Sequence, residues 1–396
     1  MNTIQLTIAG ATAALSFAAV AQPYYRLTDL GSLSTTGESW ANAINASGQV
    51  AGFSLYDELR RLSAGTRIQN GTVQNLGHIP SGYWSWAWAI NDAGLAVGVS
   101  HKQTLFGATF YAFKVGDGAV TQLADLTAGH GTAALGVNRG GVIVGYADPG
   151  GDALGTFTAV RWTGNTVTNL GTLGGFNSHA NAINVHGHIV GASELASGPF
   201  HAFRWVNGTR TDLGTLGGRA SEAHDINDAG QIVGWAHLAD GTRRAALWHN
   251  GAVSDLGTLG TSSEARATNE SGWVVGTSWV KGEGQRAFVR PPAGPMTNLR
   301  SRIVGAESWI LQHATDINGA GVIVGYGRVN GTTRAFMLTP GACDADIDAD
   351  GFLSGSDLDL FVSHFESGLA PADFDGDGFV TGIDYDLYVQ SFERGC

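Results

Sequence analysis

Cysteine is nearly absent from this sequence, with two in 396 residues, so at most one intramolecular disulfide can form. Long apolar runs are absent too. After the first 21 residues none is long enough to cross a bilayer as a helix. A basic surplus is missing, with 22 Lys and Arg against 34 Asp and Glu, which excludes the electrostatic footprint of a nucleic-acid or anionic-membrane binder. Catalytic signatures are missing as well: there is no Gly-x-Ser-x-Gly and no His-Glu-x-x-His, and no single-copy carboxylate pair stands apart from the repeated wording.

What is present divides the chain into three parts. Residues 1–21 form an apolar, small-residue stretch ending in Ala19-Val20-Ala21, which predicts a secretory signal cleaved after Ala21 and an extracellular, soluble product with no membrane insertion. Residues 343–396 hold 13 Asp or Glu and one Arg, leaving the remainder with 21 of each sign. The acidity therefore belongs to a tail, 341–396, and the body, 22–340, is neutral and rich in glycine.

The body repeats. An Asn followed three residues later by Gly and then by an aliphatic run recurs at Asn45, Asn91, Asn138, Asn184, Asn227, Asn269 and Asn318, with spacings of 46, 47, 46, 43, 42 and 49. Each unit contains four short strand-like runs, seen best in the fourth as "HANAIN", "HIVGAS", "HAFRW" and "TRTDLG". The "NVHG" between the first two predicts a tight hairpin in which Asn bonds its own backbone and Gly takes positive φ. Seven four-stranded units of this length predict an all-β, seven-bladed propeller. A β-helix or an open array of hairpins is the competing arrangement. The chain opens with a fourth-type run, "YYRLTDLG", and the seventh unit stops at a third-type run, "RAFMLTP". Pairing Tyr24–Leu30 with Arg334–Leu338 would close the ring and cover both edges.

The wording "DLGTLGG", "AIN" with "GxIVG", and "HAFRW" resembles the HAF repeat of extracellular bacterial proteins, over about residues 27–339. That resemblance implies export and a repeat architecture, and no defined enzymatic activity.

Two groups in the body invite a functional reading. His186 and His188 look like a metal pair, but they occupy turn and strand slots that Ala, Ser or Gln fill in other units; His201 holds a slot taken by Arg286 and Arg334 elsewhere. Asp92 and Asp228 read as turn residues on the same ground. The second group is "SGYWSWAWAIN", with Tyr83, Trp84, Trp86 and Trp88. Alternate Trp86 and Trp88 would face the gap between blades; Tyr83 and Trp84, if exposed on the preceding loop, would make a stacking platform for the sugar rings of a polysaccharide.

The tail carries the sharpest chemistry. "DIDADGFLSGSD" and, 27 residues later, "DFDGDGFVTGID" place Asp at positions 1, 3, 5 and 12 of a twelve-residue loop with Gly at position 6. Alternate carboxylates on a sharply turning loop converge their oxygens, as a calcium loop requires. The predicted ligands are Asp346, Asp348, Asp350, Phe352, Ser354 and Asp357 for one ion, and Asp373, Asp375, Asp377, Phe379, Thr381 and Asp384 for a second, with both Phe acting through backbone carbonyls. An acidic disordered tail is the alternative. A helix-like run follows each loop, with Leu358, Phe361, Val362 and Phe365 on one face and Tyr385, Tyr388, Val389 and Phe392 on the other's. Loop and exiting helix, twice over, resembles the dockerin domain. The resemblance implies two Ca²⁺ ions and docking onto a cohesin-like protein partner; Gly355-Ser356 and Gly382-Ile383 differ from the hydroxyl pair such domains use for contact. Cys343 and Cys396 flank the module and are expected to form a disulfide clasp.

The expectation is a secreted binding or scaffolding protein whose propeller presents a ligand-binding surface and whose calcium-dependent tail attaches it to a partner. The alternative is a carbohydrate-active enzyme, a glycoside hydrolase or polysaccharide lyase, which would need non-repeated carboxylates or a His-Tyr pair at one mouth of the ring.

Overall fold

The computed structural model describes residues 25–394 apart from 35–36, 58, 105–106, 129–130, 151–154, 304–307, 342–344, 346, 348–354 and 375–377. Seven four-stranded antiparallel sheets make a seven-bladed β-propeller over the body, and two short helices follow at the C-terminal end. In chain order the blades span 39–77, 82–122, 132–171, 174–212, 217–255, 262–298 and 309–340. Each of the first six is a simple meander of consecutive strands. The seventh supplies three strands and takes its outermost from Tyr25–Asp29, which pairs with Thr332–Pro340 from Tyr25 opposite Pro340 to Asp29 opposite Phe336. Arg334 donates to Asp29 across that pair at 3.0 Å.

The columns that repeat in sequence are those that hold blades to one another. Four residues before each landmark Asn stands an Ala with no solvent exposure, namely Ala41, Ala87, Ala134, Ala180, Ala223, Ala265 and Ala314. Six before it stands a buried Ser or Thr in the first six blades, such as Ser178, whose hydroxyl accepts the Ala159 N–H of the preceding blade at 2.9 Å and donates to the Gly171 carbonyl at 2.7 Å. The same pair of bonds recurs at Ser221, with Ala202 and Gly214, so the Ala of "HAF" is the residue read by the next blade. Phe203 and Trp205 fill the wider outer gap, buried against Val144, Ala159 and Leu170 of the blade before.

The landmark Asn does two jobs. Its Oδ1 accepts from its own hairpin, as Asn184 does from His186 and His188 N–H at 3.1 and 3.0 Å, while Gly187 takes φ of +77° at the end of the turn. Its Nδ2 reaches the backbone carbonyl of the next blade's Asn. These bonds run Asn45 to Asn91, to Asn138, to Asn184, to Asn227, to Asn269, to Asn318 and back to Asn45, at 2.9 to 3.2 Å. The result is a closed belt of buried amides around one end of the ring. Asp92 and Asp228 supplement it, each accepting the N–H of the residue after the preceding Asn, Ala46 and Val185 respectively.

In the tail, α1 (Gly355–Glu366) and α2 (Gly382–Arg394) pack through residues that match at the 27-residue offset of the two loops. Phe361 stacks on its counterpart Tyr388 at 3.7 Å between ring centroids and 1° between planes. Ala345 and its counterpart Ala372 are both fully buried beside them. Leu358, Phe365, Val389 and Phe392 flank this small core, whereas Tyr385, expected on the same face, is 40% exposed.

Candidate functional site at the propeller axis

The inner strand of every blade carries a bulge at one fixed place. In the first blade Ala41 pairs with Gly52 and Ala43 with Ala51, so that Asn42 has no partner across the ladder. The same slip isolates Trp88, Leu135, Asn181, His224, Arg266 and Thr315. A bulge re-aims the extra side chain, and all seven of these residues line one cavity of about 560 Å³ on the axis. The Gly of "IVG" makes room for it. A Cβ at Gly191 would stand 2.0 Å from the His179 carbonyl oxygen, and one at Gly145 1.9 Å from that of Ala133. Repeated Gly thus permits the bulge, and the bulge presents a residue that differs from blade to blade.

Two neighbouring columns vary in the same way. Five before the landmark stand Trp40, Trp86, Ala133, His179, Glu222, Glu264 and His313. Two before it, five blades have Ala or Gly, but the fifth has Asp225 and the seventh Asp316. The cavity is consequently one-sided: Trp88 is the aromatic residue that the first two blades give it, and its charged and imidazole groups, Glu222, His224, Asp225, Arg266, His313 and Asp316, come from blades five to seven.

The ionisable side is extensively paired. Glu222 Oε1 accepts from His179 Nε2 at 2.9 Å and from the Asn181 amide at 3.1 Å, and its Oε2 accepts from the Trp235 indole at 3.3 Å. Burial alone would push this carboxyl up; the His179 bond, the nearby His224 and the Asn181 amide outweigh it and hold the carboxyl well below the usual range. Glu264, also buried, is clamped between Arg243 at 2.8 Å and Arg266, and these cations with His224 pull it down in turn. Arg243 lies over the Trp235 ring at 3.9 Å. His313 donates from Nε2 to Gln285 and accepts at Nδ1 from the Thr277 hydroxyl at 2.9 Å; burial, then Arg266, brings its pKa down to about 4, and the neutral ring stacks on Tyr326 at 4.4 Å.

Asp225 and Asp316 face the belt end. Asp225 accepts the Thr268 N–H of the sixth blade, and Asp316 the Ile44 N–H of the first, both at 2.8 Å. Burial raises the first to about 6; burial and then the charge of Asp225 raise the second to about 7.

The aromatic cluster lies in part where the sequence reading placed it, since Trp86 faces the gap toward Phe53 and Ser63 of the first blade. Tyr83, Trp84, Trp86 and Trp88 all belong to the inner strand Gly82–Ile90 and are all half-buried. Trp88 faces the axial cavity, not a gap between blades. Trp86 donates to Ser63 of the first blade at 2.8 Å, and Trp84 lies flat on His101 at 4.6 Å and 9°. Three carboxylates, Glu222, Asp225 and Asp316, line this cavity, with Glu264 bonded to its Arg266; they stand in columns that the other blades fill with different residue types, and no motif in the sequence revealed them. Aligning the seven units on their Asn and asking which columns vary would have found them. His186 and His188 lie 6.0 Å apart at their hairpin, and His201 pairs with Asp212 at 2.9 Å; none of the three lines the cavity.

Of the predicted calcium ligands, Asp357, Asp373, Phe379, Thr381 and Asp384 fall among the described residues; Asp346, Asp348, Asp350, Phe352, Ser354, Asp375 and Asp377 lie outside them, as do Cys343 and Cys396. Asp373 accepts the Gly378 N–H through Oδ2 at 2.9 Å, while its buried Oδ1 has no partner among the described residues. Asp384 accepts the Phe374 and Thr381 N–H groups, each at 2.7 Å, which folds the second loop back on the start of α2.

No family model matches the chain, and no curated protein matches it. Among solved structures it is similar to TolB from Acinetobacter baumannii, at 12% identity and a TM-score of 0.40 over 66% of this chain and 62% of that one. It is also similar to a gluconolactonase from Xanthomonas campestris (14%, TM-score 0.39, 82% and 96%) and to the acylaminoacyl peptidase of Pyrococcus horikoshii (10%, TM-score 0.45, 78% and 53%). The chain thus spans about three fifths of the first and half of the last.

Proposed function

We propose that this protein is an exported binding and scaffolding module: a propeller that captures a ligand at its axis, carried on a calcium-dependent, dockerin-like tail that attaches it to a cohesin-like partner. The observation that carries the first half is the contrast between columns. Ser, Ala, Gly and Asn recur from blade to blade and hold the ring, while the bulged residue that each blade points at the axis differs between nearly all of them. A cavity that gathers one differing residue from each blade fits recognition better than structural filling.

The rival reading, a glycoside hydrolase or polysaccharide lyase, draws on Glu222, Glu264 and the His313–Tyr326 pair. A hydrolase needs one carboxyl that holds a proton and one free carboxylate facing the reacting bond. Glu222 and Glu264 are both held ionised and capped by donors, both nitrogens of His313 are engaged, and Asp225 and Asp316, the carboxyls that burial holds toward the protonated form, are tied to the backbone N–H groups of Thr268 and Ile44. That arrangement favours binding.

For the tail, a buried carboxylate oxygen left without a donor at position 1 of the second loop fits a cation, as does the all-oxygen donor set. Asp373 and Asp384 would hold Ca²⁺ with the other loop carboxylates, and the first loop would hold a second ion through the matching residues. Calcium would supply the charge that lets these carboxylates converge. The N-terminal strand, paired at the edge of the seventh blade, would act as the ring's clasp.

The test is a thermal-shift screen of the secreted full chain against polar small molecules and oligosaccharides, followed by calcium titration with and without chelator. Stabilisation by a ligand that is lost in Leu135→Trp, where the new ring would occupy the cavity, supports axial capture. Release of sugars from any polysaccharide by the same preparation would instead favour the enzyme.

A further inference from the structure

The aromatic residues of blades one and two form a continuous ridge leading out of the axial cavity. From Trp88 at the cavity wall, ring centroids step 5.9 Å to Trp86, 4.6 Å to Trp84 and 5.3 Å to Phe110, which is 41% exposed. A branch runs from Trp86 to Phe53 at 5.2 Å. Core packing does not require such a ridge: the equivalent inner-strand slots of the third blade hold Ala133 and Leu135. The rings lean on one another, with Trp84 flat on His101, and the half-buried file that ends at the exposed Phe110 suits weakly apolar surfaces presented at intervals, as consecutive sugar rings present them. The cavity at the ridge's end offers the amide oxygens of Asn42 and Asn181 as acceptors for hydroxyls, their Nδ2 groups donating to Ala87, Glu222 and Ala223.

Charge decides the kind of sugar. Glu222 and Glu264 are already matched by His179, Arg243 and Arg266, so the cavity has no unmatched cation to select a uronate or sulfate; its two unpaired carboxyls, Asp225 and Asp316, accept the backbone N–H groups of Thr268 and Ile44, and burial holds them toward the neutral form. We propose that the axial cavity and the Trp88–Trp86–Trp84 ridge together bind a neutral polysaccharide chain, with its end in the cavity and successive rings along the ridge. This rests on the reading of the axial cavity as the binding surface.

The experiment uses the full secreted chain and calorimetric titration with neutral cello-, xylo-, manno- and malto-oligosaccharides of two to six sugars, with polygalacturonate and chitosan oligomers as charged comparators. The expected result is a neutral series whose affinity rises with length. Trp84→Ala should remove the gain from the longer members, roughly five- to tenfold, and leave the disaccharide unchanged, whereas Trp88→Ala weakens every length. Should Trp88→Ala fail to fold, Leu135→Trp carries the same arm by filling the cavity. Preference for polygalacturonate or chitosan overturns the neutral assignment. Binding of non-glycan compounds, lost in Leu135→Trp, with no oligosaccharide bound, overturns the glycan and leaves the axial site standing. Oligosaccharide binding that ignores Trp84, Trp88 and Leu135 alike overturns both.

Discussion

Asn318 donates from Nδ2 to the backbone carbonyl of Asn45 at 3.1 Å, across 273 positions of sequence. The bond is the seventh of an otherwise local series and joins the last blade to the first. Asp316 and Thr315 cross the same seam, accepting the Ile44 N–H and donating to the Ala41 carbonyl. Removing the Asn318 side chain leaves the hairpin N–H groups of Ala320 and Val322 without their partner and takes one of two donors from the Asn45 carbonyl, which keeps the Gly48 N–H. Asn318→Ala should therefore cost about 2–4 kcal/mol, more than one hydrogen bond is worth, because the hairpin donors are orphaned. Urea denaturation checks it, and a loss under 1 kcal/mol would mean the belt is decorative.

The bulge supplies a second prediction. Gly191→Ala places a methyl carbon 2.0 Å from the His179 carbonyl oxygen, a backbone atom that cannot swing aside. Either the inner strand loses its bulge, drawing Asn181 off the axis, or the blade fails to pair. A stability loss of about 3 kcal/mol or more is expected, and any folded fraction should show weakened ligand binding. Gly187→Ala, in the exposed hairpin of the same blade, meets nothing within 4 Å and pays only for its positive φ, about 1 kcal/mol.

The contrast between these two glycines shows how much was legible in the sequence. Blade number, strand order and the hairpin role of Asn and Gly followed from spacing, because a repeated hairpin must place the same residues at the same turn. The need that Gly191 and its equivalents meet, a bulge in the facing strand, is invisible without the ladder's register. The axial residues were hidden for the opposite reason. Trp88, His224 and Arg266 resemble nothing in one another, and only their shared place three before the Asn makes them a set. The second role of Asn, bonding the next blade's carbonyl, is a contact between units that no single unit can reveal.

Asp225 and Asp316 make stability depend on pH. Each has a native pKa raised from the ordinary 3.8, to about 6 and about 7, so the folded chain keeps protons that the unfolded chain has released. The stability they contribute is full below 3.8 and is lost as pH rises through 6 and 7, each unit of difference being worth about 1.4 kcal/mol. Replacing both with Ala, the residue that four other blades use there, should make the protein less stable than wild type at pH 5 and equal or more stable at pH 8. Urea midpoints at the two pH values test this. Parallel curves for variant and wild type would refute it.

Deleting residues 22–31 removes the outermost strand of the seventh blade and the Asp29 partner of Arg334, exposing the edge of Thr332–Pro340. The contacts at the Asn45 seam do not involve that strand. The ring should therefore stay assembled but lose stability and self-associate through the bare edge. Light scattering and thermal denaturation measure both, and a monomeric variant with unchanged Tm would show that the strand is no clasp.

The tail should couple calcium to folding. Its core is small, built on Phe361 against Tyr388 with Ala345 and Ala372, and the paired acidic loops repel each other without a cation. Asp373→Ala removes the proposed first ligand position of one loop and the acceptor of the Gly378 N–H, so calorimetry on the full chain should count one calcium ion fewer. Phe361→Ala should cost about 3–5 kcal/mol of tail stability and raise the calcium needed for order, since it empties the centre of the stack. A Cys343–Cys396 bridge would lower that requirement by restricting the unfolded tail, by about 4 kcal/mol in the chain-entropy account. Tryptic digestion of the whole protein reads the outcome at Arg394, the tail's single basic residue, and endoproteinase cleavage at its acidic residues reads the loops. Protection of the tail should require calcium and weaken on reduction. Equal protection in chelator, reduced or oxidised, would show a tail that folds on its apolar core alone.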